Sequence, residues 1–350
     1  DDGVQYIVPF TGNKVDLVMP KRIDHKYLVV SVRGGDGGSR SNHMLITPLI
    51  VKGGGSAVIK GIYEVGTASD QIGENDKLRF IVGRKGDNEE TESEWGSDGG
   101  GGTGLFLNKT GPGDWITLAI AGGGGGAYSD CCLTTSKGRS ASSSTSGGNG
   151  GGAIHGKGGE NGANGGNAGL GDGGDGMNEG FVDGAPQGST NEDEVANKVL
   201  FGCGAGGLSK GTTGGGGGGY SGGGGGGTSA SGGGGGSYYN PDFGIHNITI
   251  NGQTSSPQDG YVIFQFTDNI SVNAIKFSYN TDKCMDDYGS GTADGNNIQT
   301  YNCTGNSNQQ WYFNPIDRSV RSMVQGSKCV DLTSSITANG TNIQLWHCNG

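Results

Sequence analysis

The sequence predicts an all-β protein in two parts, and three observations carry this prediction. Ala, Val, Ile, Leu, Met, Phe, Trp, Tyr and Cys supply only 31% of the 350 residues, too few for a large helical or α/β core. No segment longer than about ten residues has the periodicity of an amphipathic helix, whereas short apolar stretches recur. Glycine is concentrated, with 55 of its 79 residues between positions 96 and 240. We therefore predict a β-sandwich over residues 1–267 with a glycine block at about 96–240, followed by a separate β domain over residues 268–350.

The predicted strands of the first part are short runs of alternating or continuous apolar residues. Before the glycine block they are Val4–Phe10, Lys14–Met19, Tyr27–Val32, Ala57–Val65 and Leu78–Val82. Within and after the block they are Trp115–Ala121, Asn247–Ile250 and Tyr261–Phe266. Strands of this length need few residues each, so a chain poor in apolar residues can still build packed sheets.

Two structures compete for the glycine block, whose runs are 122–126, 214–219, 222–227 and 232–236. One is a flexible glycine–serine linker, because glycine loses more backbone entropy on ordering than any other residue and brings no side chain to pack. The other is a bundle of polyglycine helices of the polyproline II type, whose outward-pointing N–H and C=O groups can hydrogen-bond neighbouring helices. We favour the bundle, because only glycine permits helices to approach that closely.

The last part of the chain contains an internal repeat. Residues 283–305 and 328–350 are identical at twelve of 23 positions, and Tyr301 is matched by Trp346. The identical pairs include Cys284/Cys329, Asp286/Asp331, Gly295/Gly340, Asn297/Asn342, Ile298/Ile343, Gln299/Gln344 and Cys303/Cys348. A repeat of this length indicates one supersecondary unit used more than once, and its Asp-Gly and Asn-Gly turn signals indicate a β unit.

The first repeat contains, in order, Cys-x-Asp, Ile-Gln-x-aromatic-x-Cys and Asn308-Gln309-Gln310-Trp311. Together these motifs resemble the ricin B-type lectin repeat with its Gln-x-Trp signature. The resemblance covers residues 268–350 and implies a β-trefoil, with the signature tryptophan in the core and a polar pocket on each repeat for a sugar, commonly galactose-like. A carboxylate accepts hydrogen bonds from sugar hydroxyls, amides both donate and accept, and an aromatic ring covers the apolar face of a sugar. The pocket implied for the first repeat consists of Asp286, Gln299, Tyr301, Asn308 and Gln309, of which Gln309 serves mainly to hold the others.

For the second repeat the resemblance implies a pocket of Asp331, Gln344 and Trp346. The sequence reaches Gly350 before a second Asn-Gln-x-Trp element or a third repeat, so the β-trefoil is incomplete. We expect the native chain to continue beyond Gly350, with a divergent, truncated module as the alternative. Trefoil repeats also persist as packing units after losing sugar binding, and this alternative stays open for both repeats.

The cysteines agree with the repeat. Cys284 and Cys303, and likewise Cys329 and Cys348, are nineteen residues apart within one repeat, a spacing that suits a local disulfide. Disulfides indicate an oxidising compartment. Zinc is not expected, because the remaining cysteines lack ligand spacing. The three remaining cysteines are Cys131, Cys132 and Cys203. We expect two of them to form one further disulfide and the third to be a thiol without an assigned role, and the sequence leaves open which two are paired.

Composition also bears on location. A formal net charge of −11 argues against nucleic-acid and anionic-membrane partners, and no segment reaches the length of an apolar membrane span. The polar start of the chain fits a mature protein whose signal peptide has been removed. Sequons for N-glycosylation support a secreted or cell-surface glycoprotein, although some are expected by chance: Asn108, Asn247, Asn269, Asn302 and Asn339.

Short motifs recur in order between the strands of the first part. They include Val32–Gly38, Lys52–Gly55, Phe80–Gly83, Leu118–Gly123, Gly219–Gly222 and Asp259–Ile263. Over residues 4–266 their order resembles the glycine-rich domain of the anaplastic lymphoma kinase and leukocyte tyrosine kinase ectodomains. The resemblance implies a jelly-roll-like β-sandwich whose connecting loops extend as a polyglycine-helix bundle. It implies no kinase, because the chain has no kinase motif.

No catalytic residue, cofactor or metal site is predicted. Gly219–Gly223 fits Gly-x-Ser-x-Gly but lacks the strand, helix and His/Asp partners of a nucleophile elbow, and Gly171–Gly176 has too few oxygen ligands for calcium. We predict a secreted carbohydrate-binding adhesin or surface/matrix protein that self-associates, as an oligomer or filament, through its glycine-rich domain. A purely structural extracellular fibril or coat subunit is one alternative, and an accessory module of a longer glycoside-active enzyme is another.

Overall fold

The computed structural model describes residues 4–21, 25–42, 49–88, 95–110, 115–130, 134–152, 154–167, 171–176, 206–207, 213–267, 272–313, 319–324 and 328–348. These residues are all-β, as the sequence predicts, with single 3₁₀ turns at Tyr288–Ser290, Ser307–Gln309 and Thr333–Ser335 and no α-helix. The chain divides into two compact units. Asp1–Phe243 and Ile248–Phe266 form the first, and Gly244–Asn247 and Thr267–Gly350 form the second.

The first fourteen strands form two five-stranded sheets and two small hairpins. In chain order they are β1 (Gln5–Pro9), β2 (Val15–Val18), β3 (Tyr27–Arg33), β4 (Arg40–Asn42), β5 (Leu49–Val51), β6 (Ala57–Glu64), β7 (Lys77–Ile81), β8 (Thr103–Asn108), β9 (Ile116–Ala121), β10 (Tyr128–Ser129), β11 (Thr135–Ser136), β12 (Tyr238–Tyr239), β13 (Ile245–Ile250) and β14 (Tyr261–Thr267). One sheet has the order β1-β14-β3-β6-β13 and the other β12-β9-β8-β7-β2. The hairpins are β4-β5 and β10-β11.

The two five-stranded sheets pack around one apolar core. Alternate residues of β3, including Leu28 and Val30, are at most 2% exposed and belong to the same buried cluster as Leu105 from the other sheet. Phe80 on β7 and Phe264 on β14 stack across the two sheets with ring centroids 5.4 Å apart. Aromatic pairs of this kind add stability beyond the area they bury. The first unit is therefore a β-sandwich, while its jelly-roll-like connectivity stays a prediction.

The glycine runs of the first unit are held by backbone hydrogen bonds in a regular order. Along residues 214–219, successive N–H groups donate to three different neighbouring runs, and every third residue returns to the same run. Gly214 and Gly217 donate to Ala230 and Gly233, Gly215 and Gly218 to Ser97 and Gly100, and Gly216 and Gly219 to Asp172 and Asp175, at 2.8–3.2 Å. These bonds satisfy backbone groups that burial would otherwise leave without partners.

The runs are also packed too closely to admit side chains. A Cβ atom added to Gly217 would lie 2.3 Å from the carbonyl oxygen of Gly123, far inside van der Waals contact. The same holds for Gly223, where it would lie 2.2 Å from the carbonyl oxygen of Gly233. Glycine is therefore required at these positions by backbone packing. The runs form neither strands nor α-helices, and the polyglycine-helix bundle stays a prediction.

A buried ion pair marks the point where β3 enters the glycine run that follows it. Arg33 donates from its guanidinium to Asp36 at 2.6 Å, and both side chains are nearly fully buried. The other carboxylate oxygen of Asp36 accepts bonds from the N–H and the hydroxyl of Ser56 at 3.0 and 2.8 Å. Because a buried charge is tolerated only when it is paired and hydrogen-bonded, this cluster fixes the start of the run.

The second unit is one curled sheet built on the sequence repeat. Its strands are β15 (Val272–Asn273), β16 (Lys276–Phe277), β17 (Asn280–Asp287), β18 (Asn296–Asn302), β19 (Trp311–Phe313), β20 (Val320–Ser322), β21 (Lys328–Leu332) and β22 (Ile343–His347). The sheet order is β15-β19-β20-β21-β22-β18-β17-β16. The resulting half-barrel is consistent with an incomplete β-trefoil. The two repeats form the equivalent hairpins β17-β18 and β21-β22.

Candidate functional site

Strand pairing in the first repeat brings the predicted pocket residues together. In the β17-β18 hairpin, Asp286 lies opposite Gln299, and Cys284 lies opposite Tyr301. Side chains two residues apart on a strand share a face, so these four side chains lie on one face of the hairpin. The structure therefore brings Asp286, Gln299 and Tyr301 together across the hairpin, and their role in binding a sugar stays a prediction.

Asp286 is the centre of the cluster. It is only 4% exposed, and its carboxylate accepts three amide hydrogen bonds. Gln299 donates from Nε2 to Oδ1 at 3.0 Å, while Asn308 Nδ2 and Gln309 Nε2 donate to Oδ2, each at 2.9 Å. A carboxylate has about four lone-pair positions, so Oδ1 retains capacity for one further donor.

The 3₁₀ turn Ser307–Gln309 carries two of the three amides that donate to Asp286, those of Asn308 and Gln309. Gln309 differs from Asn308 and Gln299 in being fully buried. Its Oε1 accepts from the N–H of Thr304 at 2.7 Å, and its Nε2 also donates to the carbonyl of Asn302 at 2.8 Å. Both ends of this amide are thus committed within the protein. Gln309 therefore holds the carboxylate of Asp286 in place, and its role in a sugar pocket stays a prediction.

The two aromatic residues of the first-repeat motif have opposite surroundings. Trp311, the signature tryptophan, is 2% exposed and donates from its indole N–H to the carbonyl of Met285 at 2.9 Å. Tyr301 is 52% exposed on the hairpin face that carries Asp286. Trp311 therefore serves the core, as the resemblance implied, and Tyr301 presents an open ring beside a buried carboxylate.

Asp287, which the sequence did not single out, is fully buried next to the pocket. Burial raises its pKa to about 6, opposed by a hydrogen bond from Asn296 and increased by the neighbouring charge of Asp286. Its backbone carbonyl accepts a second bond from Asn308 Nδ2 at 3.1 Å, so this residue also helps to hold the pocket amide. The equivalent residue of the second repeat is Leu332, so comparison of the two repeats does not predict a buried acid at this position.

The second repeat places its predicted residues in the same register. Asp331 lies opposite Gln344, and Cys329 lies opposite Trp346. Gln344 donates from Nε2 to Asp331 Oδ2 at 3.1 Å, and its Oε1 accepts from the hydroxyl of Thr333 at 3.2 Å. Trp346 is 41% exposed. Among the described residues, one side-chain amide donates to the carboxylate of Asp331, whereas three donate to that of Asp286.

A charged cluster links the two repeats and was not predicted. Asp294, in the turn of the first repeat, accepts hydrogen bonds from Lys328 Nζ and from both the backbone N–H and the Nδ1 of His347, the latter two at 2.9 and 2.7 Å. The bonds from Lys328 and His347 lower the pKa of Asp294 to about 2. The pairing of Asn296 with Leu345 joins β18, which begins two residues after Asp294, to β22, which carries His347. The contacts span 34 and 53 residues, which sequence spacing alone does not reveal.

Both disulfides expected from the spacing are present, Cys284–Cys303 and Cys329–Cys348. Each fastens one end of a hairpin whose face carries a pocket carboxylate. The other three cysteines, whose pairing was left open, lie outside the described residues: Cys131, Cys132 and Cys203.

The sequons fall in different surroundings. Asn302, at the end of β18, is exposed and accepts a hydrogen bond at Oδ1 from Lys283 at 2.7 Å. Asn339 is exposed in a turn, and Asn108 is half-buried at the end of β8. Asn269 and the side chain of Asn247 lie outside the described part of the chain. Glycosylation at these five positions stays a prediction.

Metal binding and membrane insertion are the two other functions on which the described residues bear. No three or more His, Cys, Asp or Glu side chains within the described ranges are grouped closely enough to hold a metal ion. No helix in the same ranges is long and apolar enough to cross a membrane.

Comparison with known families identifies the second unit. Residues 273–350 match the family model of the ricin-type beta-trefoil lectin domain. This class of domain is a carbohydrate-binding module and not a catalytic one. Comparison with curated proteins gives no match. The resemblance of residues 4–266 to the glycine-rich kinase ectodomains stays a prediction.

Proposed function

We propose that the protein is an extracellular lectin that binds carbohydrate through the first-repeat pocket. The observation that carries the proposal is the buried carboxylate of Asp286, held by three amides beside the exposed ring of Tyr301. In the complex, Oδ1 of Asp286 accepts a hydrogen bond from a sugar hydroxyl. Gln299 and Asn308 have amide oxygens with which to accept others, and the Tyr301 ring covers the C–H face of the sugar.

Preorganisation supports this pocket over that of the second repeat. A hydroxyl binding at Asp286 meets a carboxylate whose position is already fixed, so little conformational entropy is lost on binding. Within the described residues one side-chain amide, that of Gln344, holds Asp331, and we propose that the second repeat binds sugar more weakly through Asp331, Gln344 and Trp346. The sugar is proposed to be galactose-like because the family resemblance implies it.

Glycan-array binding of the purified protein tests the proposal, with Asp286→Ala and Asp282→Ala measured beside the wild type. Asp282 lies on the same strand and is exposed, so its variant controls for the loss of one negative charge. We expect binding to one sugar class by the wild type and the control, and loss of at least tenfold in Asp286→Ala. Circular dichroism and an intact disulfide count establish folding. Folded wild-type protein that binds no glycan refutes the lectin proposal and favours a purely structural role.

We further propose that the glycine runs are polyproline II-type helices packed as a bundle. A helix of three residues per turn returns to the same neighbour at every third residue, and the hydrogen bonds of residues 214–219 follow this period. The run 222–227 repeats it: Gly222 and Gly225 donate to Ala163 and Gly166, while Gly224 and Gly227 donate to Gly148 and Gly151. A flexible linker would have no reason to keep such a period.

We also propose that the first unit self-associates through its sheet edges, as an adhesin or surface/matrix component would. β1 and β2 are edge strands, and they expose Ile7 by 64% and Val18 by 55%. An exposed apolar edge strand favours pairing with another copy. Sedimentation velocity over a wide concentration range tests this, with Ile7→Lys as the disrupting variant. A wild-type protein that stays monomeric throughout contradicts it. The two disulfides and the lectin domain fit the extracellular location that this role requires.

A further inference from the structure

A second exposed tyrosine lies beside the first-repeat pocket. Tyr288 is 60% exposed and begins the 3₁₀ turn that directly follows Asp286 and Asp287. Single exposed aromatic residues are common on protein surfaces, so exposure alone indicates no role. Its position relative to the carboxylate is what distinguishes it.

The hairpin register places the two tyrosines on opposite sides of Asp286. Tyr301 lies opposite Cys284, two residues before Asp286, and Tyr288 lies two residues after it. Asp287 is extended, with φ −79° and ψ 110°, so the alternation of side chains continues to Tyr288. At a rise of about 3.3 Å per residue, each ring is offset by about 7 Å along the strand from the carboxylate. This span exceeds one sugar ring.

The backbone around Tyr288 is fixed before any ligand arrives. Its carbonyl oxygen accepts from Asn296 Nδ2 at 2.9 Å, and the preceding carbonyl of Asp287 accepts from Asn308 Nδ2 at 3.1 Å. Gly289 has φ 64° and Ser290 has φ 55°, which closes the turn in the left-handed region. Asn308 thus bonds both the pocket carboxylate and the turn that carries Tyr288.

The second repeat has the same turn without the aromatic residue. Thr333 stands at the position equivalent to Tyr288, and its hydroxyl lies within hydrogen-bond distance of Gln344 Oε1 and the carbonyl of Asn342, each at 3.2 Å. Ser334 and Ser335 keep the left-handed φ values, 58° and 56°. The aromatic residue is therefore not needed to form the turn, and the second repeat supplies the natural substitution for a test.

We propose that the first-repeat pocket binds a glycan of at least two sugar units, with Tyr301 contacting the unit held by Asp286 and Tyr288 contacting the next unit. This inference rests on the proposed lectin function and adds the size of its ligand. The second repeat, with Trp346 and no counterpart of Tyr288, takes a single terminal sugar. Tyr288 thus sets the specificity of the first repeat and leaves its affinity for a single sugar unchanged.

The test compares one monosaccharide with linear disaccharides that end in the same sugar, both chosen from the glycan array. Isothermal titration calorimetry is carried out on the full chain carrying Asp331→Ala, so that the heat reports binding at the first-repeat pocket. This background protein is compared with two double variants that also carry Tyr288→Thr or Tyr288→Phe. We expect the disaccharide to bind about threefold to tenfold more tightly than the monosaccharide, as one added aromatic contact gives. Tyr288→Thr removes this preference without changing monosaccharide affinity, and Tyr288→Phe retains it.

The outcomes separate the inference from the function on which it rests. If the background protein binds sugar but Tyr288→Thr keeps the full disaccharide preference, or no preference exists, the inference is wrong and the lectin function stands. If the folded background protein binds neither ligand, both fail. Equal loss of mono- and disaccharide binding in Tyr288→Thr also overturns the inference, because the residue would then support the pocket and not a second sugar unit.

Discussion

Replacing Gly217 by alanine tests whether close backbone packing holds the glycine runs. The added Cβ would lie 2.3 Å from the carbonyl oxygen of Gly123, 2.8 Å from its carbon and 2.9 Å from the carbonyl oxygen of Gly124. Ordinary contact begins at 3.4 Å, so the two runs must separate by about 1.1 Å, the difference between 3.4 and 2.3 Å. All three obstructing atoms are backbone, which has no rotamer by which to move aside.

The separation has a calculable cost. The hydrogen bond from Gly123 to Gly218 between the same two runs is 2.8 Å long and would exceed bonding distance after such a shift. Overpacking costs about 1–3 kcal/mol and each lost hydrogen bond about 1 kcal/mol, less about 0.4–1 kcal/mol from the lower entropy of the unfolded chain. We expect Gly217→Ala to lower the free energy of unfolding by about 1–4 kcal/mol. This corresponds to a fall in Tm of about 2–16 °C for a domain of this size.

Gly148→Ala is the matched control. A Cβ there would lie 3.5 Å from its nearest neighbours, the N and O atoms of Gly234, which is ordinary contact. The bond from Gly148 to the carbonyl of Gly234, 2.8 Å long, stays intact. We expect no loss of stability, or a gain of about 0.4–1 kcal/mol. Differential scanning calorimetry measures both variants. Indistinguishable transitions for Gly217→Ala, Gly148→Ala and wild type would refute the packing argument and favour the flexible linker as the structure of the glycine block.

Three further predictions concern the lectin unit. Because the pKa of Asp287 is raised to about 6, the folded state binds the extra proton between about pH 4 and pH 6, and stability falls as pH rises through that window. Asp287→Asn should remove this slope and add about 1–2 kcal/mol at pH 7, as pH-dependent urea unfolding measures; equal slopes would contradict it. The pKa of Asp294 is lowered to about 2, so its contribution exists above about pH 4 and is lost on acidification through pH 2. Asp294→Asn should be less stable than wild type at pH 7 and equally stable below pH 2 in the same assay, and a difference independent of pH would exclude the ionic link. Asn302 alternates with Tyr301 along β18, so a glycan at Asn302 projects from the opposite face, and Asn302→Gln should lower the mass of glycosylated protein without changing its glycan-array profile. Altered sugar binding in that variant would contradict the facial assignment.

The hairpins of the lectin unit were predictable because their information is local. Identical cysteine spacing and identical Asp and Gln positions fix one register, and a one-residue slip would move every pocket side chain to the other face. Less local features were missed. Strand β8 (Thr103–Asn108) has only three apolar residues in six and lies between glycine-rich segments. The Asp294–Lys328–His347 cluster depends on the curl of the sheet, which residue pattern does not encode.

The glycine block was the hardest part to predict, because sequence composition is the same for a linker and for a close-packed bundle. The deciding variable is the set of hydrogen-bond partners, and these come from distant segments. Gly215, for example, donates to Ser97 at 3.0 Å and accepts from Gly126 at 2.8 Å. A glycine has no side chain from which such a partner could be inferred. Only the three-residue period of the contacts makes the order visible.

Asp287 gives a physical reason to assign sugar binding to the first repeat. A fully buried carboxyl with a raised pKa costs stability at neutral pH, and Leu332 at the equivalent position shows that the hairpin forms without an acid there. Groups that cost stability accumulate at functional sites, where they are retained for what they do. The side-chain carboxylate of Asp287 accepts a hydrogen bond from Asn296 Nδ2, and the same amide donates to the carbonyl of Tyr288, so the acid helps to fix the turn beside Asp286. If Asp287→Asn gains stability and also loses sugar affinity, the acid serves binding; a gain of stability with unchanged affinity removes this reason for preferring the first repeat.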